Sequence, residues 1–169
     1  MSGHSKWSQI KHKKAITDKK RGQVFSKLSR LITLAAKKGA DPKSNPSLAQ
    51  AIENAKAVNM PSENVDRAIK KVSDKNQTQL EELSVEALGP GGVALKIKAI
   101  TDNRNRTMAE IKKILVENNS KLVQPGSLTW MFGNPLTFND ASTQEQVDKL
   151  FEALDDQDEV EDVISNLKE

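Results

Sequence analysis

The sequence predicts an α+β protein in two parts: an N-terminal three-helix domain, then a compact, sandwich-like α+β domain with a mainly antiparallel sheet. Three observations carry this reading. Apolar residues recur at helical spacing up to about residue 73. Beyond that point the period shifts to about two, the alternation of half-buried strands. The polar stretch Asp74-Lys75-Asn76-Gln77-Thr78 lies at the change and reads as a linker. The domains are therefore drawn as 1–76 and 77–169.

Residues 1–16 form a basic arm with few aliphatic residues. A helix is expected from Thr17-Asp18 to Lys38, with Phe25, Leu28, Ile32 and Ala35 on one stripe and Gly39 as its stop. Asn45-Pro46 reads as an N-cap followed by Pro in the first turn of a second helix. Leu48, Ala51, Ile52, Ala55 and Val58 share a face of that helix, which Asn59-Met60-Pro61 ends. A third helix is expected over about Ser62–Ser73, with Val65, Ala68, Ile69 and Val72 on one side.

Leu83, Val85 and Ala87, then Val93, Leu95, Ile97 and Ala99, alternate with other residues around Gly89-Pro90-Gly91-Gly92. That is a two-stranded hairpin with a glycine-rich turn, preferred over a phosphate loop because no Lys-Ser/Thr follows. A helix follows, capped at Thr107 or a turn earlier near Asn103, and ends at Asn118-Asn119. Strands are expected at Leu122-Val123, Ser127–Phe132 and Leu136–Phe138. Ser142-Thr143-Gln144-Glu145 reads as a capping box opening a last helix, and Val160, Val163 and Ile164 as a final strand.

Composition narrows the function classes. No cysteine is present, which excludes disulfides, thiolate metal sites and cysteine nucleophiles. No apolar run reaches the ~18 residues of a membrane span. The first residues lack the apolar core of a signal peptide, so the cytoplasm is the expected compartment. The net charge of +3 conceals a strong polarity. Residues 1–39 hold eleven Lys/Arg against one acid, and residues 140–169 hold two Lys against eleven acids. A basic end of this kind calls for a polyanionic partner.

Lys6, Lys11, Lys13, Lys14, Lys19, Lys20, Arg21 and Lys27 crowd that basic end and are candidate phosphate contacts. Trp7 among them fits base stacking or an anchor for the arm. Arg104 and Arg106, between a strand and a helix, fit an anion site at the helix N-terminus or pairing with nearby acids; the sequence leaves both open. His4 and His12 have no ligand cluster around them and read as surface histidines. The acidic run Asp155–Asp162 lacks the spacing of a calcium loop and reads as a solvated face or a protein contact. No nucleophile–base pair, paired carboxylates, metal site or cofactor motif stands out, so a non-enzymatic protein without cofactor is expected.

Several longer motifs resemble the YebC/PmpR family. They are Ser2–Lys14 with Asp18-Lys19-Lys20-Arg21-Gly22, Asn59-Met60-Pro61 with Arg67–Lys71, Gly89–Ala94, Thr101–Thr107, and Gly126-Ser127 with Trp130-Met131-Phe132. The resemblance implies an N-terminal three-helix domain followed by α+β domains. It also implies one of two roles: a DNA-binding transcriptional regulator, or a ribosome-associated translation factor that helps with difficult sequences such as proline runs. A mitochondrial branch is a translational activator. The basic arm and the Arg104/Arg106 loop are the positions it marks as contacts. Typical members carry a further α/β domain after the Trp-Met-Phe segment, and here that insertion is expected to be missing after about residue 132. The combined expectation is an RNA- or ribosome-binding translation factor, with DNA-binding transcriptional regulation as the alternative. A protein partner at the acidic C-terminal region is a further expectation.

Overall fold

The computed structural model describes residues 18–75 and 79–168. They form two compact units, one taking in residues 16–81 with 100–102 and the other 82–99 with 103–169. In the first, helices α1 (Asp18–Ala36), α2 (Pro46–Ala57) and α3 (Ser62–Lys70) pack together, and Lys71–Ser73 continues α3 as a 3₁₀ turn. Ile32, Leu48, Ala51, Ala55 and Ala68 are almost wholly buried between them. The small alanines let the helices approach closely, and Ile32 and Leu48 supply most of the apolar area, each stabilising by about 1.5–3 kcal/mol.

Asn45 is the polar hinge of this unit. Its Oδ1 accepts from the Leu48 amide, capping α2, while Nδ2 donates to the carbonyls of Ala35 and Gly39, both at 2.8 Å. One buried side chain thus closes the end of α1 and starts α2. Thr33, also buried, reaches across from α1 to the Ala68 carbonyl of α3 at 2.8 Å. Thr17, an expected cap of α1, lies outside the described residues.

The second unit is built on a four-stranded sheet in the order β3-β1-β2-β4. Its strands are β1 (Glu81–Leu88), β2 (Ala94–Thr101), β3 (Lys121–Val123) and β4 (Val160–Ser165). β3 pairs antiparallel with β1, and β4 antiparallel with β2, with Ile97 opposite Val163. Helices α4 (Arg104–Glu117) and α5 (Ala141–Asp156) complete its fold. Leu83, Val85, Leu95 and Ile97 of the sheet share one core with Ile111 and Leu115 of α4 and Leu150, Phe151 and Leu154 of α5. The class is therefore α+β, as the change of period predicts.

The glycine-rich segment is a turn, with Gly89 donating to the Val93 carbonyl at 2.8 Å. Gly91 takes φ +68° with its Cα against the Phe138 ring and Thr143, so a Cβ there would collide as well as strain the backbone.

Three expectations are corrected, and one alternative is decided. Ser127–Phe132 is no strand: Thr129–Gly133 is a 3₁₀ helix. The Ser127 and Thr129 hydroxyls donate back to the Gln124 and Gly126 carbonyls, and these local bonds displace a ladder. Leu136–Phe138 contributes a single parallel bridge, Leu136 to Leu167, rather than a strand. The cap of α4 is Asn103, which accepts from the Arg106 amide, and Thr107 sits one turn inside. The cap of α5 is Asp140 rather than Ser142; it accepts from the Thr143 amide at 2.8 Å and the Thr143 hydroxyl at 2.6 Å. An ionised acceptor at the N-terminus of a helix outranks a hydroxyl. These two bonds hold the Asp140 carboxyl below its ordinary pKa of 3.8.

Candidate nucleic-acid interface

Lys6, Trp7, Lys11, Lys13 and Lys14 lie outside the described residues, as does the side chain of Lys19. The remaining sequence candidates fall into two groups. Lys20 and Arg21 stand on the first turns of α1, Arg21 on its exposed side. Lys27 is different: it is only 6% exposed, which leaves little of its ammonium for a phosphate. A buried lysine holds its place by contacts within the unit rather than by reaching outward.

The pair Arg104 and Arg106 also divides. Arg104 opens α4 and is exposed. Arg106 turns to the protein, placing Nη2 2.8 Å from both carboxylate oxygens of Glu159, whose side chain is 9% exposed. Gln157 locks the same corner. Its Nε2 donates to Glu110 at 2.6 Å, and its Oε1 accepts from the Glu159 and Val160 amides. Of the two readings of Arg106, the structure gives the ion pair, so the charge it offers a phosphate is largely cancelled. The acidic run around Asp155–Asp158 leads into this corner and forms no metal-holding cluster among the described residues.

The helical unit also brings Arg30, which belongs to the basic tract of the sequence, together with cations outside that tract. A groove of about 930 Å³ runs between α1 and α3 with its 3₁₀ extension. Arg30, Lys37, Arg67, Lys71 and Lys75 line it, against two acids, Asp74 and Asp102. The signal was present in spacing: Arg30 and Lys37 are seven apart, and so are Asn64 and Lys71, which puts each pair on one helix face. Charge is densest in the first thirty residues, whereas the cations of α3 and its extension are interleaved with acids at Glu63, Asp66 and Asp74.

Comparison with known proteins gives a consistent result. Residues 5–75 match the TACO1/YebC protein N-terminal domain, and residues 80–139 match the TACO1/YebC second and third domain. A probable transcriptional regulatory protein of Prosthecochloris aestuarii is 54% identical over 134 residues, covering 78% of this chain and 54% of that protein. A protein of the same description in Chloroherpeton thalassium is 46% identical over 156 residues, covering 91% of this chain and 62% of that one. The chain thus spans between half and two thirds of the length of these curated relatives. The crystal structure of a conserved hypothetical protein from Aquifex aeolicus superposes with a TM-score of 0.82 at 30% identity, covering 96% of both chains. The sequence motifs, the three-helix and sheet units, and these matches agree: the chain belongs to the TACO1/YebC family.

Proposed function

We propose that the chain is a nucleic-acid-binding regulator of gene expression, acting as an RNA- or ribosome-associated translation factor through its basic N-terminal region. The observation that carries this is the separation of charge. Eleven Lys/Arg against one acid fall within residues 1–39, while residues 140–169 hold eleven acids. Cations that neutralise phosphates release condensed counterions, which makes affinity strong at low salt and steeply salt-dependent. Lys6, Lys11, Lys13, Lys14, Lys19, Lys20 and Arg21 are the proposed phosphate contacts, with Arg104 as an outlying one and Trp7 as a stacking residue. Lys27, which is buried, and Arg106, which pairs with Glu159, are not among the proposed contacts. No catalytic group is part of the proposal.

A second reading, a DNA-binding transcriptional regulator, is favoured by what the curated relatives are called. Sedimentation with ribosomes across a salt series, beside duplex-DNA binding at the same salts, separates the two. The translation reading predicts co-sedimentation at moderate salt that is lost when Lys11, Lys13, Lys14, Lys19 and Lys20 are changed to Gln. Protein left free of ribosomes, together with duplex binding that discriminates between sequences, would establish the transcriptional reading instead.

A further inference from the structure

We infer that the groove between α1 and α3 is a subsite for single-stranded nucleic acid, separate from the basic N-terminal arm. The inference rests on the nucleic-acid reading above and adds to it the residues, the strandedness and the route of the ligand. The two walls are built alike. Arg30 and Lys37 lie two helical turns apart on α1, which sets their Cα atoms about 10 Å apart along the axis. On the other side Arg67, Lys71 and Lys75 advance along α3 and beyond it in steps of four. Arg67, Lys71 and Lys75 are exposed, so their charged ends stand in solvent.

Polar groups that suit a sugar-phosphate chain line the space between. Ser26, Ser29 and Asn64 open onto it. Thr33 lines it too, and its bond to the Ala68 carbonyl ties the two walls together beneath the ligand space. Lys37 donates to the Leu80 carbonyl, which holds its side chain against this end of the groove. The walls are therefore set before a ligand arrives.

Strandedness follows from shape. A single strand exposes both flanks of its backbone and can take cations from two facing walls at once. A duplex presents its phosphates on a wide convex surface and reaches only the rim of a trough in the cleft between two helices. An aromatic side chain completes the parallel with single-strand sites, which pair a positive groove with a stacking ring. Phe25, half-buried, lines this groove and also a second hollow of about 500 Å³ that holds Arg21, Asn59 and Pro61. The path for the strand thus runs from Arg21 past the Phe25 ring to Arg67 and Lys71.

The test uses the full chain and fluorescence anisotropy with a labelled, unstructured RNA oligonucleotide and a duplex of the same length. Three variants are compared: R67Q/K71Q/K75Q in the groove, K38Q/K43Q/K56Q as an equal loss of charge on exposed residues outside it, and Phe25→Leu. The groove triple is expected to weaken single-strand binding by roughly tenfold or more, and to make the log affinity–log salt slope shallower by about 2. The control triple is expected to cost no more than roughly threefold, since it removes only long-range attraction. Phe25→Leu keeps an apolar contact for the helices but should lower single-strand affinity severalfold with little effect on the duplex. Equal losses in the two triples, or duplex bound as tightly as single strand, would overturn the groove assignment while leaving nucleic-acid binding intact. No binding of either oligonucleotide by the unaltered chain at low salt would overturn the nucleic-acid reading itself.

Discussion

The helical unit closes around Ala36, Ala51, Ala55 and Ala68 with a few larger residues, whereas the sheet unit closes around Phe151 and a dense set of Leu, Ile and Val. Charge is handled just as differently. In the sheet unit the half-exposed Arg106 pairs with the buried carboxylate of Glu159, and Gln157 donates to Glu110. In the helical unit Arg67, Lys71 and Lys75 are exposed along one groove. A thin core of small residues brings α1 and α3 close enough to make one groove, and the cations on both helices then share it. The contrast teaches that the larger apolar core lies in the sheet unit, whereas the helical unit gathers cations along one groove.

The largest effect should come from emptying the better-packed core. Phe151→Ala, at a fully buried position, is expected to cost the sheet unit about 3–5 kcal/mol in denaturant unfolding. A cost near that of a surface change would mean the core is looser than its burial indicates. Next is the Arg106–Glu159 corner. Removing the arginine leaves a buried carboxylate without its cation, so Arg106→Ala is expected to cost roughly 1–3 kcal/mol. Arg104→Ala should change stability by less than about 0.5 kcal/mol. If the two arginines behave alike in both stability and RNA binding, the inward–outward contrast at this loop is wrong. In the helical unit, Asn45→Ala removes a cap and two carbonyl contacts, for a loss of about 1–2 kcal/mol read by thermal melting. The smallest effect is acidic. Because Asp140 has its pKa lowered in the fold, its contribution is fully present above the unfolded value near 3.8 and fades as pH falls through the lower folded value. Asp140→Asn should keep the cap oxygen and flatten that part of the acid transition.

The fold was largely legible because its signals are local and repeated. The 3.6-residue stripes of α1 and α2, the alternation through Leu83–Ala99 and the Asn45-Pro46 start are all found, while in α3 the stripe stops short of Val72, which is exposed on the closing 3₁₀ turn. The misreadings share one cause, a competition that periodicity does not register. Ser127 and Thr129 spend their hydroxyls on nearby carbonyls, so a strand-like run becomes a 3₁₀ turn. Asp140 lies ahead of the apolar run and still wins the cap from Ser142. The candidate site was legible in charge but not in geometry. The sequence marks Lys27 and Arg106 by composition, and only packing tells that one is buried and the other paired. It also hides Arg67, Lys71 and Lys75 among acids, because the facing of two helices appears only once they are folded together.

The central claim is that the helical unit is the ligand-bearing part of the chain. At 18.6 kDa the protein suits amide chemical-shift mapping by NMR during titration with single-stranded RNA. The expected result is a set of perturbed amides concentrated over Arg21–Lys37 and Asn64–Lys75, with the core strands β1 and β2 unmoved. Perturbations centred on the acidic end of α5 and on β4, or none at saturating RNA, would contradict it.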